Sequence, residues 1–232
     1  MAELFGQTKI PLTSRTSASI AELIRREILS GTLKPDQPLL EREIASELGV
    51  SRTPVREALF VLQGEGLVEL VPRRYARVRR ITDINIKQIY SLRRLLEIYA
   101  AENAALYAEH EDIIDIETTL LRQKNLPKDC SAIEQAEADL AFHYAIASAS
   151  NSPLLQTVTR QVLALTATLR SRVKYDAQRS RRAFGQHQKI LAAIRKKDAA
   201  RAAELMGEHI DESTAYVHGT AADTPIVTAG ED

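Results

Sequence analysis

The chain has one cysteine, Cys130, in 232 residues. A lone thiol excludes an internal disulfide framework and any cysteine-rich zinc site. Net charge is also missing: 31 lysines and arginines balance 31 aspartates and glutamates, so total charge names no partner. The N-terminus lacks the apolar core of a signal segment, and no stretch approaches the length that crosses a bilayer. The expectation is a cytoplasmic protein with no membrane partner. No unit of about 20–50 residues recurs, which excludes a solenoid. Glycine is absent from 83 to 184, so that half of the chain has few helix breakers.

What is present is a core and an uneven distribution of charge. Hydrophobic residues make up 44% of the chain, enough to bury one large domain or two smaller ones. Residues 1–80 carry a balance of +3 and the remainder −3, and 71–80 (VPRRYARVRR) has five arginines and no acid. A basic patch on a neutral protein suggests that one region meets a polyanion.

Residues 1–16 lack periodicity and read as a flexible arm. Residues 17–81 read as helix, helix, helix and hairpin. Ser17 or Ser19 caps a first helix with the stripe Ile20, Leu23, Ile24 and Ile28. "GTLKPDQPL" is a loop by its two prolines. A short helix from about Glu41 to Leu48 stops at Gly49, and Ser51 caps the next, with Pro54 tolerated in its first turn. "LVELV" and "ARVRRI" flank "PRRY" as a hairpin. Three short helices and a hairpin are the parts of a winged helix-turn-helix, whose third helix enters the major groove. That helix carries Arg52 and Arg56 one turn apart, opposite Val55, Ala58, Leu59 and Leu62. Arginine grips guanine O6 and N7, or a phosphate, through two parallel hydrogen bonds.

Residues 82–218 read as six helices, near 84–109, 112–125, 131–150, 153–175, 180–196 and 198–217, joined by short loops as in an antiparallel bundle. The tail 219–232 is small and polar and reads as disordered. The expected fold is mainly α: an N-terminal winged helix-turn-helix and a C-terminal all-helical bundle. Polar residues interrupt the bundle's apolar stripes. Asp139 and His143 share a face with Phe142 and Ile146, His187 leads Ile190, Leu191 and Ile194, and His209 joins Leu205, Met206 and Ile210. Burying four titratable groups unpaired is costly. Either they form a hydrogen-bonded core or a divalent metal satisfies them together, with Asp139 and His143 at i, i+4 and two more imidazoles from neighbouring helices. His110 and His218 are expected at the surface. Arg93 lies on the inward stripe of Ile89, Leu92 and Leu96, with Glu97 four residues on, as an intrahelical ion pair or a ligand-binding cation.

"LEREIASELGVSRTPVREALFVLQGEGLV" resembles the DNA-binding signature of the GntR family of bacterial transcription regulators, over roughly residues 17–80. The resemblance implies DNA contacts by Arg42, Arg52, Thr53 and Arg56. The family's wing usually has a glycine where this chain has Tyr75; Arg73, Arg74 and Arg77 are left to reach phosphates. "SLRRLLEIYAAENAA", "DLAFHYAIASASNSPLL" and "GQHQKILAAIRKKDAARAAELMGEHI" resemble the FadR-like branch with its FCD effector domain, over roughly 84–217. That resemblance implies Asp139, His143, His187 and His209 as metal ligands and Arg93 as a clamp for an effector carboxylate. The count of six helices is like the VanR-type subset.

The expected function is a homodimeric regulator, a repressor by the family's commoner habit. It would read a palindromic operator under control of a small organic acid bound at a metal, with zinc the first candidate and nickel or manganese after it. The alternatives are a metal-dependent enzyme and a regulator with a purely structural metal. Against the enzyme, four protein ligands leave little room at tetrahedral zinc, and no general base like the glutamate of HExxH is evident.

Overall fold

The computed structural model describes residues 16–71, 74–127, 129–170 and 177–221. They group into two compact units, Met1–Ile86 with Arg160–Arg172, and Lys87–Thr159 with Val173–Asp232. In the first unit lie α1 (Ser17–Leu29), α2 (Glu41–Leu48) and α3 (Arg52–Gly64), with a sheet of β1 (Pro38–Leu39), β2 (Val68–Val71) and β3 (Tyr75–Val78). The strand order is β1-β3-β2, both pairings antiparallel. Ile20, Ile24, Ile44, Val55, Leu62 and Val68, all at zero exposure, fill one core between these helices and the hairpin.

Two local readings are corrected. Thr16, not Ser17 or Ser19, caps α1: its hydroxyl accepts from the Ser19 amide at 3.3 Å and the Ser19 hydroxyl accepts from the Thr16 amide at 3.0 Å, a reciprocal capping box. The stretch 31–39, a loop by its prolines, contains β1, which pairs Pro38 with Arg77 and Leu39 with Ala76. An edge strand tolerates the proline because little of its N–H ladder is used, and the fully buried Leu39 anchors it. Between α2 and α3 the chain turns at Gly49, whose φ of 61° is left-handed and favours glycine. Ser51 stands at the N-cap of α3 in extended conformation, but its side chain makes no capping bond.

The second unit contains the length of α4 (Asp83–Tyr107) from Lys87, α5 (His110–Lys124), α6 (Ala132–Ser148), the first turns of α7 (Pro153–Arg170), α8 (Ala177–Arg195) and α9 (Ala199–Ala221). These are the six helices the spacing predicts. Helix α5 packs on α6 and α8, and α8 on α9. Ser131 caps α6 through a capping box with Glu134, which fixes the start of the helix that carries Asp139 and His143. His110 opens α5 and is exposed. The side chain of His218, most of the arm 1–16 and most of the tail 219–232 lie outside the described residues. None of the described helices is long and apolar enough to cross a membrane.

Candidate DNA interface and metal centre

Helix α3 buries Val55, Ala58, Leu59 and Leu62 and leaves Arg52, Thr53 and Arg56 exposed. Arg42 is exposed on α2. The two α3 arginines do not stand alone. Glu41, the first residue of α2, accepts from Arg56 Nε and Nη2, both at 2.8 Å, and from Arg52 Nη2 at 3.2 Å. The Arg56 guanidinium beside it holds the Glu41 carboxyl below the usual carboxylate range. One carboxylate therefore gathers both guanidinium groups of α3. No acid stands between Arg52 and Arg56 in sequence; the clasp comes from eleven and fifteen residues upstream.

The wing's basic run is also partly neutralised. Glu69 on β2 accepts from Arg77 Nη2 at 2.9 Å and lies 3.7 Å from Arg79, and Arg80 pairs with Asp36. Arg74 is exposed in the turn, while Arg73 lies outside the described residues. Tyr75, at the place of the family's wing glycine, is a half-buried strand residue paired with Val71.

In the second unit the four polar interruptions converge. Asp139, His143, His187 and His209 are all buried. His209 Nε2 lies 3.3 Å from both His187 Nε2 and His143 Nε2. The Asp139 carboxylate is 3.6 Å from His143 Nε2 and 3.9 Å from His187 Nε2. The three imidazoles form a group whose ligand atoms all lie within 4.8 Å of one another, and Asp139 borders two of them.

The opposite ring nitrogens are occupied. His187 Nδ1 is 3.0 Å from Gln123 Oε1, His209 Nδ1 is 2.8 Å from Gln186 Oε1, and His143 Nδ1 pairs with Glu97 Oε2. An amide oxygen only accepts, so Nδ1 of His187 and His209 carries the proton and Nε2 presents its lone pair. Lone pairs facing each other across 3.3 Å are satisfied by a shared proton or by a cation, and outer hydrogen bonds to Nδ1 are the usual support of metal-bound imidazoles. The Gln123 amide also donates to Asp139 at 3.5 Å, and Phe142 stacks on His187 with centroids 4.1 Å apart. Sequence reasoning misses Gln123, Gln186 and Glu97 as supports, because nothing in their own spacing marks them.

Electrostatics divides the histidines. Burial opposes charge on His143, but the Glu97 carboxylate and Asp139 more than offset it and raise its pKa above the ordinary value. Burial and the neighbouring imidazoles of His187 and His143 push His209 well below it, which keeps that ring available as a ligand.

Arg93 and Glu97 occupy the buried face of α4 with Ile89, Tyr90 and Ala100. Leu92, assigned to that face by spacing, is 48% exposed and Leu96 only half-buried. One residue is about 100° of helical turn, so a face centred on Arg93 and Glu97 leaves Leu92 outside. Arg93 Nε donates to Glu97 Oε1 at 2.6 Å. Burial opposes the Glu97 charge, yet Arg93 and then His143 hold its pKa down to about 2. Both terminal nitrogens of Arg93 are buried with no hydrogen-bond partner among the described residues, two strong donors in a closed site.

Residues 88–212 match the FCD domain, and residues 16–78 match the gntR family of bacterial regulatory proteins. The chain belongs to the GntR family. This GntR regulator is 32% identical to the Uxu operon regulator of Haemophilus influenzae over 218 residues, 86% of this chain and 81% of that one. It is 29% identical to the gluconate operon transcriptional repressor of Bacillus subtilis over 202 residues, 85% of this chain and 83% of that one. The GntR regulator's fold is similar to that of Escherichia coli McbR/YncC, with a TM-score of 0.73 at 22% identity, covering 88% of this chain and 97% of that one. Transcription regulation, not catalysis, is the activity of this family, and residues 16–78 match its DNA-binding domain.

Proposed function

We propose that this GntR regulator binds a palindromic operator as a homodimer and represses until a small organic acid occupies its FCD domain. Arg42, Arg52, Thr53 and Arg56 read or grip DNA from α2 and α3, and Arg73 and Arg74 reach phosphates from the wing. Asp139, His143, His187 and His209 hold a divalent metal, zinc first, and the metal supplies a Lewis-acidic site for a carboxylate. Arg93, with two unfilled buried donors, clamps the same acid. The observation that carries this reading is the convergence of three imidazole lone pairs, two with Nδ1 held by a glutamine oxygen and the third, His143, against Glu97. The name of the Bacillus subtilis relative contains a hydroxy acid, gluconate, which supports that chemical class of effector.

The test is operator binding measured with zinc and with gluconate or related hydroxy acids. A shift in operator affinity that disappears on chelation supports the reading. Binding indifferent to every acid and to chelation leaves the metal structural. Arg56→Ala is expected to weaken operator binding by about 1–3 kcal/mol if the guanidinium reads a base, with Arg52→Ala similar. Equal loss on operator and random DNA would reassign them to phosphate contacts.

The Glu41 clasp gives a separate expectation. Its carboxylate restrains both arginines and repels phosphate. Glu41→Gln is expected to raise affinity for random DNA and steepen its salt dependence, while narrowing the operator-to-random ratio. Titrations on both DNAs at two salt concentrations check this; an unchanged ratio would show that the clasp does not survive on DNA.

A further inference from the structure

Tyr90 stands one turn before Arg93 on α4 and is 1% exposed. Its hydroxyl is buried and has no hydrogen-bond partner among the described residues. The Arg93 guanidinium carbon lies over the Tyr90 ring, 5.2 Å from its centre. The guanidinium thus covers the face of the ring. Its two terminal nitrogens and the phenol oxygen do not bond to one another, although each would satisfy the other. Leaving such neighbours unpaired in a buried place is costly, and buried polar side chains are in large majority paired. For packing alone, phenylalanine would serve at this position.

We infer that Tyr90 sets the specificity of the effector site: its hydroxyl pairs with an alcohol group of the bound acid while Arg93 clamps the carboxylate. The chemistry selects the class. A carboxylate only accepts, and the two free guanidinium nitrogens supply donors enough for it. A phenol hydroxyl donates and accepts at once, and its full match is another hydroxyl. The free nitrogens and the phenol oxygen lie within the span of one small molecule, so carboxylate and alcohol belong to the same ligand. That ligand is a hydroxylated acid rather than a plain fatty acid. A site built to hydrogen-bond a ligand hydroxyl rejects the analogue lacking it, because its own polar group is then left unpaired. The inference rests on the carboxylate-effector reading above and adds to it the atom that tells a hydroxy acid from its deoxy counterpart.

Calorimetric titration of the zinc-loaded protein tests this, with gluconate and lactate as probes, each beside its single-deoxy counterparts (propionate for lactate). For an acid that binds wild type, removal of one hydroxyl is expected to weaken binding by roughly ten- to a hundredfold. Tyr90→Phe is expected to lose the same factor for the parent acid and nothing further for that deoxy form, the signature of one contact shared by two hydroxyls. The metal-free variant should melt no lower than wild type, because an unpaired buried hydroxyl has been removed. Deoxy forms that bind wild type as tightly as their parents overturn the inference, as does a Tyr90→Phe protein that keeps the wild-type preference. A variant that melts lower and weakens every acid alike, or that does not fold, shows the hydroxyl to be structural and overturns it too. Wild type that binds none of the acids, with or without zinc, overturns the carboxylate-effector reading itself, so the two failures are distinguishable.

Discussion

Replacing Arg93 by methionine is expected to destabilise the second unit by about 3–5 kcal/mol, the cost of leaving a buried carboxylate without its cation. The carboxylate is that of Glu97, whose side chain is 2% exposed and whose partner Arg93 is fully enclosed. Removing one member of such a pair costs far more than the pair itself contributes. Arg93→Met with Glu97→Gln should therefore recover much of the loss, because no buried charge is then stranded. Chemical denaturation of the three variants measures both effects. The pH dependence should change as well. Glu97 has its folded pKa depressed from 4.5 to about 2. Its contribution is therefore present above about pH 4.5 and is lost as pH falls towards 2. In Arg93→Met the largest lowering influence on Glu97 is gone, and the acid-induced loss through that window should shrink. Equal stability of wild type and Arg93→Met would mean that the ion pair contributes nothing and that Arg93 is held for another purpose.

Removal of the proposed metal is expected to give the second large effect. A metal that binds the folded site alone stabilises by about 2.7 kcal/mol at one hundred times its dissociation constant, and about 4.1 kcal/mol at one thousand times. Protein purified without a histidine tag should melt lower after chelation and recover with zinc, and His187→Ala should lose most of the difference. The metal-dependent increment should shrink as pH falls. His143, with its raised pKa, is the ring that protons occupy first, and a protonated imidazole cannot be a ligand. Without metal, protonated His143 stabilises the fold fully below its unfolded pKa near 6.5, and this contribution is lost as pH rises through the raised folded value. His209 has the opposite sign: its depressed pKa makes the metal-free fold lose stability as pH falls below the ordinary histidine range. Melting curves with and without zinc across pH 6–8 separate these contributions. If zinc leaves the melting temperature unchanged at every pH, the four residues are a hydrogen-bonded core.

The elements most legible in the sequence are those with strong periodicity. The stripes around Val55 and Leu59, and around His187 and Ile190, repeat at helical spacing and stand as helices whose apolar side is buried. Asp139, His143, His187 and His209 are legible because they break apolar stripes; a polar side chain in a core face is conspicuous from the spacing of its neighbours alone. Gln123, Gln186 and Glu97 are not, because their significance is a distance to another helix. The same holds for Glu41, which in sequence is one acid in an ordinary first turn. β1 is hidden by prolines that suit an edge strand as well as a loop. Spacing puts Leu92 on the wrong side of α4 because both faces of that helix are apolar, and periodicity cannot choose between two equal stripes.

The buried charges around Glu97 have a consequence for the order of events. Arg93 supplies one positive charge, Glu97 and Asp139 two negative ones, and the imidazoles are neutral when they act as ligands. The cluster by itself is one unit short of neutrality, a deficit that the raised pKa of His143 lets a proton fill. A divalent cation at the proposed site would reverse the imbalance and leave a surplus of one positive charge among buried groups. The surplus suits one monoanion. Such a centre should refuse a carboxylate until the cation has arrived, take up one acid per chain and not two, and favour monoacids over diacids of similar shape. Loading would then be compulsory in sequence, and the cell's supply of metal would set whether the acid is sensed at all.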